Sequence, residues 1–317
     1  MKPMNHLKSI FLASALILGI SITAHAEINV VSSVKPLHSL VSGVMEDVAR
    51  PDLIVKGSAS PHTYSLRPSQ ARQLEDADLV FWMGHELESF LEQPLEAIAT
   101  KGHIVELIDS SKLKKIKMRE GGMFDAHAHD DHDEHEGHDD HGHGEFDVHV
   151  WLDPENAKVL VDEIKLALIE LDPVNSSKYE SNSNKMNMKL DQLIDEVSKK
   201  LESEQGKGYV VFHDAYQYFE QRFGMSAVGS ITVSPEVVPG ANRIRELKNK
   251  INELNAHCVF SEPQFEPKLV STVIEGTQAN TGVLDPLGAS INDGPELYFT
   301  LIRNMADSLH ECLSKKD

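Results

Sequence analysis

Apolar residues fall along this chain in short runs that alternate with stretches at helical spacing, and the alternation predicts strands and helices in turn. Val30, Val31 and Val34 sit in a run over 28–34 that reads as a buried strand. Leu37, Leu40, Val41 and Val44 follow at three- and four-residue steps and predict a helix over 36–48. Strands over 53–55, 79–83 and 103–107 then alternate with helices over 68–77 and 87–98. Such repetition argues for a parallel sheet covered by helices on both faces. Asp153 caps a further helix with Pro154 in its first turn, carrying Val159, Leu160, Ile164, Ala167 and Leu171. After the break at Asp172-Pro173, the apolar positions Met186, Leu190, Leu193, Ile194, Val197 and Leu201 predict a helix over 174–201. At 1.5 Å per residue it would run about 42 Å, a length that suits a strut between two lobes.

Past Gly206 the alternation resumes, with strands over 209–212, 258–260 and 282–284 and an extended stretch over 227–232. Helices are predicted over 214–223, 242–254, 267–278 and 295–313. The fold class is therefore α/β: two lobes, each a mostly parallel sheet flanked by helices, joined by a long rigid helix. The expected divisions are 27–172 for the first lobe, 173–205 for the linking helix and 206–317 for the second lobe.

Three features modify this picture. Lys2 and Lys8, an apolar core over 10–22 and the small-x-small site Ala24-His25-Ala26 predict an export signal over 1–26. The apolar run is too short to span a bilayer, where about 20 residues are needed, so an exported, soluble chain is expected. The second feature is a tract over 119–146 that holds His127, His129, His132, His135, His138, His141 and His143, seven of the 17 histidines, interleaved with Asp and Glu. It has almost no large apolar residues and is predicted to be a mobile loop. Imidazole and carboxylate are ligands for zinc, copper and nickel, but the irregular spacing prepares no single geometry, so the tract suits auxiliary, weak metal binding. The third feature is charge. The net charge of −20 disfavours nucleic acid and anionic lipid as partners. Cys258 and Cys312 are the two cysteines; an oxidising compartment makes a disulfide the default, with a thiolate metal pair as the alternative.

Candidate chemistry clusters at the ends of predicted strands. His62 follows the strand at 53–55 through a Gly/Ser/Pro turn, His213 directly follows 209–212, and Asp285 directly follows 282–284. Ligands in open parallel sheets bind beyond these carboxyl ends. His149 lies in a segment where Val148, Val150 and Leu152 alternate with Asp147, His149, Trp151 and Asp153, which predicts one apolar and one polar face. Three imidazoles with a carboxylate or water make a tetrahedral zinc site. His38, His85, His103, His257 and His310 are read as structural.

Four segments carry a family resemblance: Pro61-His62-Thr63-Tyr64-Ser65-Leu66-Arg67-Pro68-Ser69, His149-Val150-Trp151-Leu152-Asp153-Pro154, Phe212-His213-Asp214-Ala215-Tyr216 and Leu284-Asp285-Pro286-Leu287-Gly288. In this order they resemble the signature segments of the metal-specific (cluster A-I, or cluster 9) solute-binding proteins of ABC importers, and the likeness runs through the whole chain beyond the signal. The resemblance implies capture of Zn²⁺ in the periplasm, delivery to an inner-membrane permease driven by a cytoplasmic ATPase, a monomer, no catalysis, and a metal buried between the lobes. It implies His62, His149 and His213 as ligands, and the third imidazole favours zinc over manganese. Zinc members of the family can place Glu before the first ligand; here that position is Pro61, so the fourth ligand falls to water, Asp285 or a group from the tract. Asp285 is alternatively a hydrogen-bond partner of a ligand imidazole.

The competing expectations are a metal-binding adhesin or metallochaperone, which the lobed fold would serve equally, and a zinc hydrolase. No His-Glu-x-x-His occurs, since His135-Glu136-Gly137-His138 has the wrong spacing, which disfavours the hydrolase.

Overall fold

The computed structural model describes residues 28–119, 124, 145–232, 240–254, 256–266 and 268–315. The expected export signal and the seven crowded histidines, His127 to His143, lie outside the described residues.

Two four-stranded parallel sheets form the frame. The first contains β1 (Val30–Ser32), β2 (Asp52–Leu53), β3 (Leu79–Trp82) and β4 (His103–Glu106), in the order β2-β1-β3-β4. The second contains β5 (Tyr209–Val211), β6 (Ala227–Ser230), β7 (Cys258–Ser261) and β8 (Asn280–Val283), in the order β6-β5-β7-β8. The two orders are the same topology repeated. In each sheet the crossovers lead to opposite sides of the two central, parallel strands, which opens a crevice beyond their carboxyl ends.

Helices α1 (Lys35–Val44), α2 (Pro68–Asp76) and α3 (Ser89–Ala97) cover the first sheet, and α4 (Pro154–Leu171) closes that lobe. Asp153 caps α4 as predicted, its carboxylate accepting from the Glu155 amide. A 3-10 turn at Pro173–Asn175 leads into α5 (Ser176–Leu201), the linking helix, whose 26 residues run about 39 Å. The second lobe carries α6 (Gln217–Phe223), α7 (Ala241–Glu253) and α8 (Lys268–Ile274). The last helix, α9 (Leu297–Leu313), packs on α1 and α5 as well as on β8.

This packing makes the junction stiff. One apolar core runs continuously from Val30 in the first lobe through Leu190 and Leu193 of α5 to Tyr298 and Leu309 of α9, and a second, smaller cluster around Val259 and Ile251 lies at the far side of the second sheet. The Cys258–Cys312 disulfide, with Cα atoms 6.2 Å apart, ties β7 to α9. No thiol is left to hold a metal.

Two local expectations fail for identifiable reasons. The segment around His149 is not an alternating strand: Val150–Leu152 is a 3-10 turn with Val150, Trp151 and Leu152 all buried. Trp151 leaves the expected polar face because its Nε1–H donates to the Pro286 carbonyl of the other lobe at 2.9 Å. The last strand starts two residues early, at Asn280, because it follows the register of β7, with Cys258 opposite Asn280. Among the described residues no helix is long and apolar enough to cross a membrane.

Candidate metal centre

His62 sits in the 3-10 turn Pro61–Thr63 beyond β2, on the first lobe. Pro61 at the first position of that turn fixes its entry and supplies no ligand atom. His149 immediately precedes the turn Val150–Leu152 on the same lobe. His213 follows β5 by one residue, on the second lobe, at the crevice between β5 and β7. Two lobes thus converge on one point. Each histidine offers a ring nitrogen, and the three atoms lie within 4.8 Å of one another. Ring centroids are 5.3 Å apart for His149 and His213, 5.6 Å for His62 and His149, and 5.9 Å for His62 and His213. Among the described residues this is the one cluster of three such groups.

Two carboxylates fix the tautomers. Asp147 Oδ1 lies 2.7 Å from His149 Nδ1 and also accepts from the His149 amide at 3.0 Å. Glu262 Oε1 lies 2.8 Å from His213 Nδ1. A buried carboxylate accepts from Nδ1–H, which leaves the lone pair on Nε2. The two Nε2 atoms then face each other at 3.4 Å. Two lone pairs at that distance repel unless a proton on one ring or a metal ion lies between them, so the two nitrogens are placed to share a positive charge.

Burial sets the protonation. His62 is held well below the usual imidazole range by desolvation and then by the positive charge of its two neighbours. His149 is pushed down to about 3 by desolvation and by His213. For His213 burial acts in the same direction, but the Glu262 carboxylate outweighs it and the pKa is raised. Desolvation pushes Asp147 up to about 7 against the hydrogen bonds from the His149 amide and Gln217.

The space between the imidazoles is small. Pro61, Leu87, Trp151, Phe265, Pro286 and Leu287 line it with the histidines, and the room open to the centre of a water-sized sphere is about 10 Å³. That suits an ion with one water and excludes an organic substrate.

Asp285 is placed elsewhere. Its Oδ1 accepts from Gln264 Nε2 at 2.9 Å and from the amides of Leu287 and Gly288, and its Oδ2 from the Ala289 amide at 2.6 Å. Its oxygens hold the loop after β8 and touch no ligand imidazole. The carboxylates that do, Asp147 and Glu262, are the ones sequence reasoning missed. Glu262 directly follows β7, much as His213 lies just past β5, so the strand-end rule would have reached it. His38, which hydrogen bonds to the Pro51 carbonyl, and His310, which pairs with Glu204, are structural as expected.

A family model described as the periplasmic zinc-uptake complex component A, ZnuA, matches residues 30–312. The high-affinity zinc uptake system protein ZnuA of Brucella suis is 51% identical over 334 residues, which cover 98% of this chain and 100% of that protein. The protein of the same name from Yersinia pestis is 37% identical over 311 residues, covering 97% and 98%. A crystal structure of ZnuA superposes with a TM-score of 0.75 at 22% identity, over 90% of this chain and 99% of that one. The periplasmic zinc-binding protein TroA of Treponema pallidum gives 0.76 at 19% identity, over 91% and 100%. At these identities the two structures speak to the fold.

Proposed function

The chain belongs to the ZnuA family of periplasmic zinc-uptake components, and from that premise we propose that His62, His149 and His213 hold the zinc ion it captures. It is the zinc-binding protein of an ABC importer, a solute-binding protein and not an enzyme, and zinc is its cargo. The observation that carries the ligand assignment is the convergence of three imidazole nitrogens within 4.8 Å, two of them with their far nitrogens bound to buried carboxylates.

Three neutral nitrogens supply three corners of a tetrahedron, and with the Asp285 oxygens committed to their loop the fourth is left to water or to a group from the tract, whose histidines lie outside the described residues. Asp147 and Glu262 raise the basicity of the imidazoles they hold and place negative charge behind the ion. Apolar neighbours exclude bulk water, so these electrostatic attractions act at low dielectric. The ion would pass to the permease of the uptake system as the monomeric protein's lobes part. Residues 1–26 would direct export.

Competition titration against a chelator of known affinity tests the assignment. The parent should hold one tight zinc. Alanine at His62, His149 or His213 should each weaken it by about 10- to 100-fold or more, as loss of a ligand or its support does. Anomalous scattering at the zinc edge should place the ion between the three rings. A variant lacking any one of these imidazoles that kept parental affinity would overturn the assignment.

A further inference from the structure

Around the imidazoles lies a second set of contacts that cross the lobe boundary in both directions. From the second lobe, Gln217 on α6 donates through Nε2 to Asp147 Oδ2 at 3.1 Å, and Asp147 is the carboxylate that holds His149 of the first lobe. From the first lobe, Arg119 reaches the second: its Nε lies 3.0 Å from both oxygens of Asp214, the residue next to His213, and its Nη2 also bonds Asp214. Arg119 Nη1 donates to Glu220 Oε2 at 2.9 Å, and Glu220 in turn accepts from the Ala227 amide at the head of β6. Asp214 and Glu220 are 6% and 4% exposed, so each needs this guanidinium to stay ionised away from water.

We propose that Gln217 and Arg119 are positioning residues of an inter-lobe interlock that sets the rate of zinc release. Each lobe supplies the group that steadies the other lobe's ligand. The imidazoles are therefore aligned only while the lobes are together. Parting the lobes lengthens the ligand distances and also frees the carboxylate of Asp147 to turn and the His213-Asp214 segment to shift. Release becomes cooperative: one movement loses both the distance and the aim of the nitrogens.

Other contacts also join the lobes, and of these the Arg222 pair touches none of these groups. Arg222 on α6 makes a two-point ion pair with Asp153 at 2.6 and 2.8 Å, and the Tyr218 hydroxyl accepts from the Ile116 amide and donates to the Asp147 carbonyl. Arg222 thus provides a control for general adhesion between the lobes.

The inference rests on the three-histidine assignment, and stopped-flow transfer of zinc from the loaded full-length chain to a chelator tests it. Gln217→Met and Arg119→Met should each release zinc about 10- to 100-fold faster, the range of a lost hydrogen bond to a charged group, while the association rate stays within about two-fold. Arg119→Lys should recover part of the retention. Arg222→Met should change release by less than about three-fold. Where Arg119→Met fails to fold, the triple variant Arg119→Met, Asp214→Asn, Glu220→Gln removes the charges together and should still release zinc fast. Parental release rates in Gln217→Met and the arginine variants, or equal acceleration by Arg222→Met, would overturn the interlock. Parental affinity in His149→Ala would instead overturn the ligand assignment itself.

Discussion

Glu88 is buried completely in the crevice of the first sheet, one residue beyond Leu87 of the metal cavity, and it offers a quantitative test of how this interior handles charge. Its Oε2 accepts from the amides of Met83 at 2.8 Å and Gly84 at 3.1 Å, at the end of β3. Gly84 makes this approach with φ of 147°, and a Cβ there would meet Glu106 Oε1 and an Ile108 methyl, each at 2.7 Å. The carboxyl therefore sits in a pocket that its own backbone donors only partly compensate. Burial raises its pKa from 4.5 to about 7, while the Ser33 hydroxyl and the two amides oppose the rise. A group moved that far costs the folded, ionised form about 3 kcal/mol.

The sign follows from proton counting. Between pH 4.5 and about 7 the folded chain holds a proton that the unfolded chain has released. The contribution of Glu88 is therefore full below the lower value, falls as pH rises across that window, and is flat above it. Glu88→Gln keeps the acceptor for both amides and cannot ionise. Urea unfolding of the metal-free protein from pH 5 to 8 should show the variant's advantage over the parent growing by about 2.5 kcal/mol across the range. Asp147, Asp214 and Glu220 titrate in both proteins and cancel in the difference. Parallel stability profiles would refute the view that Glu88 is protonated in the folded protein near neutrality.

Other consequences follow from the site and its surroundings. With His149 down at about 3 and His62 well below its usual range, the groups that give up protons to zinc are His213, which is raised, and Asp147, at about 7. Calorimetry at pH 5.5 in buffers of different ionisation heat should therefore find about two protons released per zinc, where three ordinary imidazoles would release nearly three. Affinity should fall as pH drops below 7, with a slope that approaches two once both groups are protonated. Replacing Cys258 and Cys312 by serine opens a loop of separation 54 and should cost about 4 kcal/mol in thermal or denaturant unfolding. Deleting residues 125–144 should preserve one tight zinc and remove the additional weak binding, as counted by equilibrium dialysis.

Much of the frame is legible because local patterns decide it. Most of the described strands and helices have an apolar run or a helical period behind them, and breaks such as Asp172-Pro173 fall where predicted. The three histidines are legible for a related reason: His62 and His213 follow strands of parallel sheets, and His149 stands in a recognisable segment ahead of α4. What is not legible is the direction of a side chain once tertiary contacts compete for it. Trp151 alternates with apolar neighbours in sequence yet turns inward to reach Pro286 across the lobe boundary. Asp285 has the right strand-end position, but four donors in and beside its own loop claim its oxygens first. Asp147 and Glu262 look like ordinary acidic residues until the fold removes their water and points them at imidazoles.

Asp147, Asp214, Glu220 and Glu262 are all at most 6% exposed, and Arg119 is the guanidinium that compensates two of them. Burying four carboxylates against one cation is costly in isolation, and desolvation raises the pKa of Asp147, Asp214 and Glu220 accordingly. A dication held by neutral imidazoles changes that balance, because it gives the two carboxylates behind His149 and His213 a positive partner through the ring. The cost in the metal-free fold thus favours a doubly charged ion over a singly charged one. Replacing Asp147 and Glu262 by their amides should accordingly narrow the preference for zinc over monovalent copper, as well as lower zinc affinity. An unchanged ratio between the two metals would show that imidazole number alone sets the choice.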